Sequence, residues 1–185
     1  MRQDTPVVRS EASNEEVGSA SRGDLERAVQ CALSAHAGQQ YPAPEPEPYI
    51  LHPLRVMCAV EGAHAQIAAV LHDVVEDTGL TLADLEAAGY SRPVIHTIDC
   101  LTHRDSETYS AYIERVSTDP VATTVKVADL RDNLRNNKSL TPTSSVLERI
   151  ERYEQALSVL QPKRSVVAQA TLQATGANAN LGLEQ

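Results

Sequence analysis

Tryptophan and phenylalanine are absent from the 185 residues, which leaves six tyrosines as the large aromatic side chains. A core without big rings must be built from Leu, Val, Ile and Ala, and that favours packed helices. Basic charge is also short. Sixteen Lys and Arg face 25 Asp and Glu, for a formal charge of −9. A nucleic-acid surface needs a basic footprint, so that function class is set aside. A small anionic substrate is still admissible where a metal or a local basic cluster meets it. Cysteine is scarce: Cys31, Cys58 and Cys100, odd in number and without a CxxC pair. That excludes a disulfide framework and reads as three buried thiols in a reducing compartment. No apolar run reaches the roughly 18–20 residues of a membrane span. The N-terminus has no apolar signal core, and its acids argue against a transit peptide. The expected location is cytoplasmic.

What is present centres on Leu71-His72-Asp73-Val74-Val75-Glu76-Asp77-Thr78. An apolar run, Ile67 to Leu71, leads into one His and three acids with no basic residue among them. On a helix His72 stacks one turn before Glu76, and Asp73 one turn before Asp77, so the four polar groups form one wall. Three acids this close repel one another beside a core unless a cation is present. His with Asp suits a divalent transition ion such as Mn, Fe or Zn, and the remaining carboxylates could work on a water. The plainer alternative is a solvated helix end with Gly79 as its stop.

In chain order, residues 1–22 lack periodicity and read as a flexible arm. A helical domain spans 23–161, and 162–185 is a low-complexity tail. Asp24 is a candidate N-cap for a first helix with Leu25, Ala28, Val29, Ala32 and Leu33 on its inner stripe. His36 continues that stripe, either as a core histidine or as a substrate contact. Tyr41 to Pro48 carries Pro at every second position and reads as a stiff extended rim. Pro53 fits the first position of a second helix, with Leu54, Met57 and Cys58 inward and His52 at its entrance, as a cap or as a ligand. A third helix runs from about Ala65 to Asp77. Thr81 and Asp84 suggest a capping box. Ser91 and Pro93 open a further helix, on which His96 and His103 look like surface residues. Tyr109, Tyr112, Ile113 and Val116 share another stripe. Ala122, Val125, Ala128 and Asp129 share one stripe with Asn133 a turn on. Asp129 there needs a partner, either a base such as Arg131 or a metal. Lys126, Arg131, Arg135 and Lys138 make this the most basic part of the chain, and Lys126 and Arg131 are candidate substrate contacts. Val146, Leu147, Ile150, Tyr153, Leu157 and Leu160 mark a last amphipathic helix.

His52 in Pro-Tyr-Ile-Leu-His-Pro, His72-Asp73 in Leu-His-Asp-Val-Val-Glu-Asp-Thr and Asp129 in Val-Lys-Val-Ala-Asp-Leu-Arg-Asp-Asn together resemble the HD-domain metal-dependent phosphohydrolases. Within them the chain is most similar to the RelA/SpoT-type hydrolase branch and its small stand-alone members, over roughly residues 24–160. The resemblance implies an all-α bundle of about seven helices. It implies hydrolysis of the 3′-pyrophosphate of ppGpp-like alarmones. His52, His72, Asp73 and Asp129 would hold one metal, typically Mn2+. Glu76 and Asp77 would activate and orient water, Asn133 would contact the nucleotide, and His36 would stand near the pocket.

The chain departs from the pattern at Gln40-Tyr41-Pro42, where Arg and Lys are common, and at Leu130, where a basic residue is common. Tyr41 could stack on a base instead, and an adenine alarmone such as (p)ppApp is an alternative to ppGpp. So is another phosphoester, such as NADPH or a dNTP, handled by the same catalyst. The partner expected is a small anionic nucleotide, with no nucleic acid or membrane; oligomeric state is left open.

Overall fold

The computed structural model describes residues 22–161. The expected N-terminal arm and C-terminal tail lie outside the described residues, apart from Arg22. The chain forms α1 (Arg22–Ala35), β1 (Gln40–Tyr41), β2 (Glu47–Pro48), α2 (Leu51–Cys58), α3 (Ala63–Leu71) and α4 (Val74–Asp77). There follow α5 (Leu82–Ala87), α6 (Arg92–Leu101), α7 (Tyr109–Val116), α8 (Pro120–Ser139) and α9 (Ser144–Leu160). The all-α class holds. The expected seven helices become nine helical segments among the described residues, two of them six residues or shorter.

Helix α3 lies at the centre. Ala65 and the unbroken run Ile67 to Leu71 are all buried, as a segment apolar on every side must be, while the polar His64 and Gln66 stay half-exposed in its first turns. It packs against α1, α2, α6 and α8. Local chemistry sets the other ends. Thr81 and Asp84 form the capping box at α5. Thr108, Asp119 and Thr143 each accept a hydrogen bond from a backbone N–H in the first turn of α7, α8 and α9. Pro120 occupies the first position of α8, where its missing N–H costs nothing.

Several boundaries differ from the sequence reading. Helix α1 begins at Arg22, so Asp24 sits in its first turn rather than at its cap. Pro53 is third in α2, not first. Leu33 and Leu147 are exposed where the stripes put them inward. Cys58 is exposed and Cys31 half-buried; only Cys100 is the buried thiol expected of all three. The proline-rich stretch folds back as a hairpin, with Gln40 opposite Pro48 and Tyr41 opposite Glu47. Tyr41 Oη bonds Asn133 on α8, and the Asn136 amide donates to the Pro42 carbonyl, so the hairpin is pinned to α8.

The expected helix from Ala65 to Asp77 is broken at its functional point. Helix α3 ends at Leu71, His72 and Asp73 form a turn, and α4 restarts at Val74. His72 Nδ1 donates to Ala69 O at 2.7 Å. That is the carbonyl a continuing helix would offer to the Asp73 N–H, and a side chain inserted into the ladder bends it. Asp73 relaxes to φ −100°, ψ −6°.

Truncating a side chain sealed between α6 and its neighbours tests the bundle. Ile98→Ala, at a fully buried site, should lose about 2–5 kcal/mol in chemical denaturation, with an unchanged helical spectrum in buffer.

Candidate metal centre

The break after α3, the start of α2 and the middle of α8 bring four side chains together. His52, His72 and Asp73 offer ligand atoms that all lie within 4.8 Å of one another. Asp129 joins them from α8, its Oδ1 3.2 Å from His52 Nε2 and 3.6 Å from His72 Nε2. Asp73 Oδ2 lies 3.1 Å from His72 Nε2 and 3.7 Å from His52 Nε2. Both imidazoles and Asp129 are buried.

The tautomers follow from what each Nδ1 touches. His52 Nδ1 donates to Asp132 Oδ2 at 2.8 Å, and His72 Nδ1 donates to the Ala69 carbonyl. Both acceptors take a proton and give none, so each Nδ1 carries hydrogen. In a neutral ring each Nε2 then presents a lone pair to two carboxylates. His72 Nε2 is buried without a hydrogen-bond partner. Lone pairs facing carboxylates in a dry place repel unless a cation lies between them. The residues therefore fit a divalent ion.

Protons respond to the same field. Burial pulls the His72 imidazole down, but Asp73 and Asp129 outweigh it and hold its pKa well above the usual value. Burial likewise opposes charging of His52, and hydrogen bonds to Asp129 and Asp132 prevail. Asp73 and Asp129 are held low: burial pushes both up, but His72 outweighs it at Asp73, and Lys126 with both imidazoles does so at Asp129. A proton on each ring can thus stand in for a metal's charge, and a metal would displace it.

Around this core the cleft has a volume of about 310 Å³. Glu76 stands at its edge, where Oε2 accepts the His103 N–H at 3.0 Å. Burial first, and Asp73 after it, raise the Glu76 pKa, while the His103 bond pulls the other way. Asp77 and Asp73 each accept from Tyr49 Oη at 2.7 Å, so one hydroxyl proton serves two carboxylates. Lys126 pairs with Asp129 Oδ2 at 2.8 Å. Asn133 Nδ2 donates to Asp129 Oδ1 at 2.5 Å.

Other expected site residues stand elsewhere. Arg131 is exposed on the opposite face of α8 and bonds Gln161, so it neither enters the cleft nor partners Asp129; Lys126 has that role. Tyr41 lines the cleft, but its ring is buried against His52, with centroids 4.8 Å apart at 7°, and its hydroxyl is bound to Asn133. It is not free to stack on a base. His36 lies behind the cleft: it stacks on Tyr49 and donates to Gln39, whose amide holds the Asp77 carbonyl.

The sequence reading missed Asp132, Tyr49, His103 and Arg152. Asp132 orients His52, and Arg55 and Arg135 in turn hold its carboxylate. Asp132 is three residues after Asp129, and that one-turn spacing is the signal that was available. Arg152 and Tyr153 reach the cleft from α9, with the Arg152 guanidinium 5.0 Å over Tyr109. Nothing local in α9 marks them.

No family model matches the chain. Individual proteins do. A guanosine-3′,5′-bis(diphosphate) 3′-pyrophosphohydrolase of Mus musculus is 34% identical over 139 residues, which is 70% of this chain and 78% of that protein. A probable GTP pyrophosphokinase of Mycobacterium leprae is 33% identical over 143 residues, 70% of this chain. The chain spans only 18% of the length of that larger protein. A solved structure, described as a metazoan ortholog of SpoT that hydrolyzes ppGpp, superposes with a TM-score of 0.66. It covers 86% of this chain and 99% of its own at 23% identity, a likeness of fold. The stand-alone relative is matched over most of its length, and the chain belongs to the RelA/SpoT-type hydrolase branch of the HD-domain phosphohydrolases.

Proposed function

We propose that this protein is a Mn2+-dependent pyrophosphohydrolase that removes the 3′-pyrophosphate of ppGpp-class alarmones. The observation that carries the reading is the convergence of two imidazole Nε2 atoms and two carboxylates, with both Nδ1 atoms already committed. The printed function of the mouse relative supports the substrate class.

His52, His72, Asp73 and Asp129 would hold the ion. Two imidazoles and two carboxylates suit a six-coordinate Mn2+ and leave positions open. When bound, the ion supplies Lewis-acid activation of water and offsets phosphate charge. The chain's own groups do the rest. Glu76, fixed by the His103 N–H, accepts the proton of the attacking water, and its raised pKa makes it a better base than an ordinary glutamate. Asp77, tied to Tyr49, steadies that water. Attack at the phosphorus attached to the 3′-oxygen breaks that ester bond and releases pyrophosphate and the 3′-hydroxyl. Lys126 and Arg152 supply positive charge along the cleft. Asn133 is the nucleotide contact beside the metal. Tyr153, half-buried next to Arg152, takes the base-stacking role that Tyr41 cannot. Three free thiols and no helix among the described residues long and apolar enough to cross a membrane support a cytoplasmic location.

Three outcomes test this. With Mn2+ and ppGpp, pppApp, NADPH and dGTP assayed side by side, pyrophosphate should appear from the alarmones and vanish with chelator. Orthophosphate release alone would overturn the reaction assigned. Glu76→Gln should lower kcat by about 10²–10⁴-fold with metal content unchanged. Asp132→Asn should weaken Mn2+ binding by about 10–100-fold in calorimetry, because His52 loses its orienting partner.

A further inference from the structure

A second set of metal-ligand side chains lies outside the cleft, where α6 meets the start of α8. His96 and Cys100 are one turn apart on α6 and share a face. Asp119 caps α8: its Oδ1 accepts the Ala122 N–H at 2.7 Å, which leaves Oδ2 turned toward His96. That oxygen is 3.8 Å from His96 Nε2, and Cys100 Sγ is 3.8 Å from the same nitrogen. One ligand atom from each of the three lies within 4.8 Å of the other two.

Two simpler accounts fail on geometry. A nucleophilic Cys–His–Asp relay needs the carboxylate on the ring nitrogen opposite the thiol. Here sulfur and oxygen both face Nε2. An ordinary hydrogen-bonded cluster accounts for only one pair: a weak Cys100 Sγ···His96 Nε2 contact at 3.8 Å is within reach for sulfur, whereas Asp119 Oδ2 at 3.8 Å is beyond N–H···O reach of the same nitrogen. Asp119 Oδ2, converging on the same nitrogen outside hydrogen-bond reach, is arranged as a third ligand atom beside them. Zinc bonds of about 2.3 Å to sulfur and about 2.0–2.1 Å to nitrogen or oxygen, at tetrahedral angles, separate S from N by about 3.5 Å and N from O by about 3.3 Å. The two spacings to His96 Nε2 are longer by half an ångström or less, and sulfur and oxygen lie within 4.8 Å of each other. The His96 side chain, 67% exposed, is free to close that gap by rotating.

We propose that His96, Cys100 and Asp119 form a zinc-class metal site, distinct from the hydrolytic centre, with its fourth position open. A thiolate beside an imidazole and a carboxylate selects Zn2+ over Mn2+ or Mg2+. The site ties the C-terminal half of α6 to the N-cap of α8, the helix that carries Asp129. Burial, and after it Asp119 and Asp99, keep the Cys100 thiol protonated when free, so binding releases a proton.

Cobalt separates the two sites, because only this one contains sulfur. Co2+ added to the Mn-loaded full-length protein should give a thiolate-to-metal charge-transfer band that saturates at one equivalent and is bleached by Zn2+. Cys58→Ser should keep the band, and Cys100→Ser should abolish it. His96→Ala, a surface change that leaves the fold intact, should weaken cobalt binding at least about tenfold. A wild-type protein without the band overturns the site. So does a band that survives Cys100→Ser or disappears with Cys58→Ser or Cys31→Ser. Hydrolysis is not the readout, so loss of the alarmone reading would leave this result standing, and the reverse.

Discussion

Two imidazole nitrogens pressed against two carboxylates inside a helical bundle are the constraint on which the rest of the structure depends. His52 and His72 cannot turn away, because each Nδ1 is held, one by Asp132 and one by the Ala69 carbonyl. Asp129 is buried on α8 and Asp73 is set by the turn after α3. The groups are fixed before any ion arrives. The protein therefore carries an electrostatic cost that a cation removes, and preorganised ligands of this kind lose little entropy when they bind.

The helix break shows how closely local structure and site are linked. The His72 bond to Ala69 O does two things at once. It fixes the tautomer that aims Nε2 at the carboxylates, and it takes the acceptor that would have continued the helix. Asp73 then falls 3.1 Å from His72 Nε2 instead of one step around a regular helix. A straight helix would have put His72 and Asp73 about 100° apart. The short restart, α4, brings Glu76 to the His103 N–H and Asp77 to Tyr49.

Much of this was legible because ligand-bearing segments have unusual composition. The octet around His72-Asp73 joins a fully apolar run to three acids, and Asp129 interrupts an apolar stripe. Both features conflict with simple burial, and both resolve where His52, His72, Asp73 and Asp129 converge. What escaped the sequence reading depends on contacts between distant segments. Arg131 and Arg152 look alike in a list of bases, yet one lies on the far face of α8 and the other enters the cleft from α9. Tyr41 looked available for stacking because its partners, His52 and Asn133, lie 11 and 92 positions away. Helical periodicity assigns a face, and it does not say which neighbour covers that face.

Charge completes the argument. A chain of net charge −9 would repel a polyphosphate, and the cleft itself contributes Asp73, Glu76 and Asp129. Lys126 and Arg152 alone cannot reverse that balance. Each imidazole can carry a proton against that charge, and a divalent ion would take the place of both protons. Asp129 would then face the ion as well as Lys126 and the Asn133 amide. Behind the cleft, Asp132 is held by Arg55 and Arg135 while it accepts from His52, so the imidazole meets a carboxylate whose charge is already balanced. In the proposed reading the acids would hold the metal, and the metal would attract the substrate together with half-buried Lys126 and exposed Arg152. Imidazole protons can offset the acids while the cleft is empty, and a divalent ion that displaced them would gather the same charge at one point, where a phosphate could face it directly.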